Sequence, residues 1–270
     1  MCELLGMECN VPTDIVFSFT ALATRGGRTG PHTDGFGLAF YEGKAARVFL
    51  DPNAAAHSPI AEFLRKHSIK TELAIAHIRR RTRGQVTLAN THPFLRELWG
   101  RAWVFAHNGT VRGIKQRTLG RFVPIGDTDS EHAFCLMLEA LRTSFRDYPT
   151  KRSDLREAIA EVASELSVHG TFNFLLGDGR ALYARTDTKL AHIVRKAPFG
   201  KATLADEEVS VDFAEVTTPR DRVAVVATRP LTVDETWTLG EPGSMWVFEE
   251  GRCVSTLASP VRGPRRKPHP

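Results

Sequence analysis

Residues 1–7 read MCELLGM: a cysteine stands directly behind the initiator methionine, and an apolar run follows it. A cysteine in second place is small enough for the methionine to be trimmed. Trimming leaves one residue with both a thiol and a free α-amine, a nucleophile beside its own base. The alternative is a small buried residue in a first strand, because free cysteine behaves as a compact hydrophobe. The choice depends on what the rest of the chain supplies: donors for an oxyanion and a grip on a substrate.

Partners stand at the ends of strand-like runs. RAWVFAHNG ends in His107, Asn108 and Gly109, where a side-chain amide beside a glycine N–H gives two donors for an oxyanion. Taken alone, the Asn-Gly pair also reads as a hairpin turn. ELAIAHIR runs into AHIRRRTRG and sets Arg79 just past a strand, where its planar fork can grip a carboxylate in two hydrogen bonds. Arg80, Arg81 and Arg83 read as a basic surface patch. In GDTDSE, Thr128 and Glu131 fit a capping box, and Asp129 suits the positive end of a helix. NTHPF, residues 90–94, reads as a turn whose His92 has an equal claim to be a partly buried imidazole.

The connecting segments are ordinary. VPTDIVFSFTALATRGG gives a helix with Thr13 as cap and a glycine pair as stop; FGLAFYEGKAARVFL gives a hairpin about Gly43. HSPIAEFLRKHS gives a short helix capped by Ser58 with Pro59 first and Ile60, Phe63 and Leu64 on one face. Two longer helices follow, one with Ala133, Met137, Leu141 and Phe145 on a face, the other with Leu155, Ile159, Val162 and Leu166. TFNFLLGDGRALYAR, around an Asp-Gly turn, and DRVAVVATRPL return the chain to strand. Strands clustered at both ends about central helices point to one α+β domain of antiparallel sheets.

Composition sets bounds. The chain has 270 residues, 42% hydrophobic and 25% charged, within the range of ordinary globular proteins. Cys2, Cys9, Cys135 and Cys253 form no metal-binding spacing, no signal peptide is read before Cys2, and no apolar run is long enough for a membrane span. A cytoplasmic, soluble protein is expected. The formal charge of +5 lies mostly in the tail: VRGPRRKPHP carries three Arg and one Lys, and removing them leaves +1. Residues 256–270 are expected to be a basic, Pro-rich tail, read as a solvated, disordered end in preference to an RNA or partner contact.

Taken in order, Cys2, AHIRRRTRG, NTHPF, FAHNGTV and TDSE resemble the motifs of class II glutamine amidotransferases. The resemblance runs from Cys2 to about residue 250 and is closest to the stand-alone YafJ-like branch, through NVPTDIVFSFTALATRGGRTGPH, NTHPFLRELWGR and APFGKATL. It implies the N-terminal-nucleophile hydrolase fold, a four-layer αββα sandwich of two antiparallel sheets between helical layers, over residues 2–255. It implies Cys2 as nucleophile, Asn108 and the Gly109 N–H as oxyanion hole, Arg79 on the α-carboxylate of glutamine and Asp129 on its α-ammonium. Thr82 and His92 would shape the pocket. No metal or cofactor is implied. The substrate would be glutamine or another γ-glutamyl amide, and a synthase subunit is a candidate partner. Two departures stand out: Arg81 replaces the common Ala, and HTDGFG replaces the Arg-Gly-Tyr-Asp type of loop. The competing classes are an amidohydrolase of another γ-glutamyl compound, as in relatives of ergothioneine synthesis or glutathione breakdown, and a silent module that binds RNA or phosphate through its arginines.

Overall fold

The computed structural model describes residues 2–81 and 84–259. Strand β1 (Glu3–Asp14) leads into helix α1 (Val16–Arg25), the hairpin β2 (Phe36–Glu42) and β3 (Ala45–Asp51), helix α2 (Pro59–Lys66) and β4 (Lys70–Ile78). Strands β5 (Phe94–Leu98) and β6 (Arg101–Val111) precede helices α3 (Asp129–Ser144) and α4 (Arg152–Ser167). The rest is strand: β7 (Gly170–Gly177), β8 (Leu182–Thr186), β9 (Ala191–Lys196), β10 (Lys201–Thr203), β11 (Ser210–Asp212), β12 (Arg222–Ala227), β13 (Thr238–Leu239), β14 (Ser244–Glu249) and β15 (Arg252–Ala258).

The strands form two large antiparallel sheets. One runs β13-β9-β12-β1-β4-β2-β3 and the other β15-β14-β8-β7-β6-β5, with β10 and β11 paired apart. Three apolar cores hold the layers. Leu4, Ile75, Val104, Leu175 and Trp246 fill the space between the sheets. Phe105, Phe172 and Phe174 face Phe134, Met137 and Ile159 of α3 and α4. Leu5, Met7 and Val225 face Phe19 and Leu22 of α1 and Leu64 of α2. Alternate residues of β1 therefore enter different cores, as strand periodicity requires, and the expected four-layer αββα sandwich is the fold.

Local chemistry explains the elements. Ser58 Oγ accepts from the N–H groups of Ile60 and Ala61, with Pro59 opening α2, and Gly43 at φ 61° turns the β2–β3 hairpin. Several local expectations are corrected. Thr13 does not cap α1: β1 continues past an irregularity to pair Thr13 with Thr71, and the Asp14 carboxylate accepts from Val16 N at 2.6 Å instead. Phe63 is exposed and stacks on His67, while Ala61 and Leu64 form the buried face of α2. Phe145 lies just beyond the last turn of α3. Thr128 does accept from Glu131 N, but the Glu131 carboxylate does not reach back to complete a capping box. It holds Ile125 N and Gly126 N and pairs with Arg96, which fastens the loop before α3. The boundary drawn at residue 255 falls inside β15, and the buried Ser259 anchors the guanidinium of Arg185. Residues 260–270 lie outside the described residues.

Glu8, near the middle of β1, is buried and accepts from Glu250 N at 2.8 Å and Gly251 N at 2.7 Å. Burial pushes its carboxyl up to about 7 against those two hydrogen bonds, with Glu249 nearby adding to the shift. The folded chain thus binds a proton that the unfolded chain has released, from the ordinary value of 4.5 upward. The stability this gives is full below that value and is lost as pH rises to about 7, by about 3 kcal/mol at 1.36 kcal/mol per unit. Urea unfolding across this window should show the difference between wild type and Glu8→Gln shrinking as pH rises. A difference independent of pH would refute the assignment.

Candidate active site

The two sheets bring Cys2, just ahead of β1, and Asn108, late in β6, to the same end of the sandwich. The Asn108 side chain brackets the cysteine: its Oδ1 accepts from Cys2 N at 2.9 Å and its Nδ2 donates to Cys2 O at 2.7 Å. One N–H of that amide remains for an incoming oxygen. Asn108 and Gly109 do not form a hairpin turn. They continue β6, opposite Asn173 and Phe172 of β7. Glycine is needed at 109 because a Cβ there would lie 1.9 Å from Thr171 O.

Cys2 is half-buried, and its Sγ accepts from Arg80 N at 3.4 Å. Burial pushes the thiol above its ordinary value, opposed by that N–H and by the Arg79 charge. A standing thiolate is therefore scarce, and a proton acceptor beside the sulfur is needed for attack. The next residue, Glu3, is buried in an ion cluster with Arg25 at 3.4 Å and Arg229 at 2.9 Å, and Arg25 also reaches Asp206 at 2.6 Å. This network pins the start of β1 and with it the cysteine.

Arg79 is buried at the end of β4, with Nη1 donating to Gln85 O at 2.9 Å. Burial lowers its pKa, opposed by Cys2, Asp34 and Asp127, yet an arginine so placed keeps its charge. Asp129, first residue of α3, accepts from Val111 N at 2.7 Å and Ser130 N at 3.1 Å, so it ties the end of β6 to the helix start. Cys2, Arg79, His92, Asn108, Gly109 and Asp129 all line one cavity of about 430 Å³. Thr82 lies outside the described residues. Arg80 and Arg81 are exposed, as a surface patch would be, but they line the same cavity, and Arg81 pairs through N and Nε with Asp34 of the HTDGFG loop. Among the described residues no group of three or more His, Cys, Asp or Glu side chains could hold a metal.

Three imidazoles cluster at the site: the sequence points to His92 as a pocket residue, while His77 and His107 escaped the sequence reading of roles. His107 meets Ser130 Oγ at 2.8 Å and Thr171 O at 3.1 Å. A carbonyl only accepts, so Nε2 carries the proton and Nδ1 accepts from the serine. His77 and His92 stack at 4.3 Å, buried and without a hydrogen-bond partner among the described residues. Burial keeps both neutral, His77 down to about 3. The adjacency of HNG and TDSE in the motif order was the one signal for the His107–Ser130 contact; nothing local marked His77.

Comparison with known proteins bears on this arrangement directly. The family model "Glutamine amidotransferases class-II" matches residues 1–269. The chain belongs to that family. As a class II glutamine amidotransferase it is 52% identical to YafJ of Escherichia coli K12 over 254 residues, 94% of this chain and 100% of that one. It is 47% identical to a Haemophilus influenzae relative, over 95% of this chain and 87% of that one. A crystal structure from Pseudomonas aeruginosa superposes with a TM-score of 0.76 at 42% identity, covering 94% of this chain and all of that one. The glutamine phosphoribosylpyrophosphate amidotransferase of Bacillus subtilis shares the fold at a TM-score of 0.61 and 16% identity, over 97% of this chain and 50% of that one. No helix among the described residues of this amidotransferase is long and apolar enough to cross a membrane.

Proposed function

We propose that this amidotransferase hydrolyses the γ-amide of glutamine or a related γ-glutamyl compound through a thioester on Cys2. The observation that carries the reading is the pair of hydrogen bonds by which the Asn108 amide accepts from Cys2 N and donates to Cys2 O, beside a cavity that also holds Arg79 and Asp129. Removal of Met1 turns the Cys2 nitrogen into an α-amine, with a reference pKa of about 7.7 to 8.0, suited to taking and returning a proton near neutrality. Asn108 Oδ1 already accepts from that nitrogen and orients it.

The amine takes the thiol proton as Sγ attacks the δ-carbon of the substrate. The carbonyl oxygen becomes an oxyanion facing the second Asn108 N–H and the Gly109 N–H. Collapse breaks the C–N bond, the proton passes to the departing nitrogen, and a γ-glutamyl thioester remains. Water, deprotonated by the same amine, releases glutamate. Arg79 grips the α-carboxylate and Asp129 the α-ammonium, while neutral His92 walls the pocket. Release of ammonia and glutamate by the Met1-free protein, against a panel of γ-glutamyl amides, tests the reading; no turnover of any member would refute it.

The grip has its own test. Arg79→Lys and Asp129→Asn should each raise KM at least about tenfold, since a point charge cannot replace a buried bidentate fork and an amide cannot pair with an ammonium. Arg81→Lys, already spent on Asp34, should change KM less than twofold. Steady-state kinetics on the three variants decide; equal effects would reduce the arginine run to a general basic patch.

A further inference from the structure

The cavity is more basic than a glutamyl group needs. Its described lining carries four arginines, Arg79, Arg80, Arg81 and Arg112, against one carboxylate, Asp129. Arg79 and Asp129 match the two charges of an α-amino acid, and Arg81 is neutralised by Asp34 at 3.7 Å. Arg80 and Arg112 remain, both exposed at the mouth and neither ion-paired among the described residues. Arg112 is not on a loose end: its N donates to His169 O at 2.7 Å and its O meets His169 Nδ1 at 3.1 Å, which fixes the backbone where β6 ends. The hollow beyond Arg112 adds Lys115 and Asp127, one charge of each sign, and leaves the balance unchanged. A cavity of about 430 Å³ also falls within the range that holds ligands larger than glutamine.

We infer that the mouth of this cavity is an anion subsite, and that the favoured substrate is a γ-glutamyl amino acid whose leaving amine carries a carboxylate held by Arg112 and Arg80. This rests on the hydrolytic reading above. The chemistry balances in the same way: the amide C–N bond breaks, the thiol proton reaches the departing amino nitrogen, and water cleaves the thioester, giving glutamate and a free amino acid. Free glutamine, whose leaving group is ammonia, leaves the subsite unused.

The test uses two amides of equal size that differ in one charge, γ-glutamylglycine and γ-glutamylglycinamide, with the Met1-free protein at low salt. The acid should be favoured in kcat/KM by ~10–100-fold, the worth of one charge-assisted hydrogen bond. That preference should shrink as salt is raised and in Arg112→Gln, with Arg112→Lys retaining part of it. Equal turnover of both amides, or a preference untouched by Arg112→Gln, overturns the subsite and leaves the hydrolytic reading standing. Turnover of neither amide, nor of glutamine, overturns both.

Discussion

A chain that keeps Met1 is expected to fold normally and to release essentially no ammonia from glutamine. Acylation converts the Cys2 nitrogen from an amine into an amide with no basic lone pair, so Sγ loses its proton acceptor. Burial makes the loss severe, since it already pushes the thiol above its ordinary value. Among the described residues no other base is well placed: His77 and His92 are held neutral by burial but make no hydrogen bond to the sulfur, and His107 is committed to Ser130 and Thr171. Loss of a general base costs about 10²–10⁴-fold in rate. A chain made with an uncleavable N-terminal extension should therefore fall by at least about 10²-fold in kcat with its melting temperature unchanged. Full turnover by a chain shown to retain Met1 would remove the α-amine from the mechanism.

Asn108→Ala should be nearly as damaging, through two separate losses. The oxyanion loses a donor, which in comparable sites costs about 3 kcal/mol, or 10²–10³ in kcat. The Cys2 backbone also loses both hydrogen bonds that hold it against β6, at 2.9 and 2.7 Å. Asn108→Asp keeps only one of these contacts: its carboxylate still accepts from Cys2 N, but it has no N–H for Cys2 O or for the oxyanion and adds a negative charge where negative charge develops. Both variants should retain the fold and lose kcat far more than they change KM. A rise in KM with kcat unchanged would assign Asn108 to binding alone.

Much of this was legible in the sequence because the site is written at the ends of strands. Cys2, AHIR, NTHPF, HNG and TDSE all contribute residues to one cavity, and Ser58-Pro59, Gly43 and the Asp178-Gly179 turn marked local structure through chemistry that acts within a few residues. What stayed hidden depends on contacts distant in sequence. The Asn-Gly pair carries a strong turn signal, yet β7 pairs with it residue for residue and keeps it extended. Thr13 has the chemistry of a helix cap, but its partner across the sheet is Thr71, 58 positions away, and the pairing holds it in β1. Glu131 suited a capping box, and instead two loop N–H groups and Arg96 took its carboxylate. The stacked His77 and His92 come from β4 and the segment before β5, and no spacing along the chain relates them.

The central claim is that Cys2, freed of Met1, is the nucleophile of a glutamine-type acyl transfer. Intact-mass and peptide mass spectrometry of the purified protein, before and after reaction with the glutamine-analogue electrophile 6-diazo-5-oxo-norleucine, tests it most directly. The account predicts a chain beginning at Cys2, a single adduct on the Cys2 sulfur with Cys9, Cys135 and Cys253 unmodified, and protection by glutamine. An adduct elsewhere, or none on a chain that begins at Cys2, would contradict it.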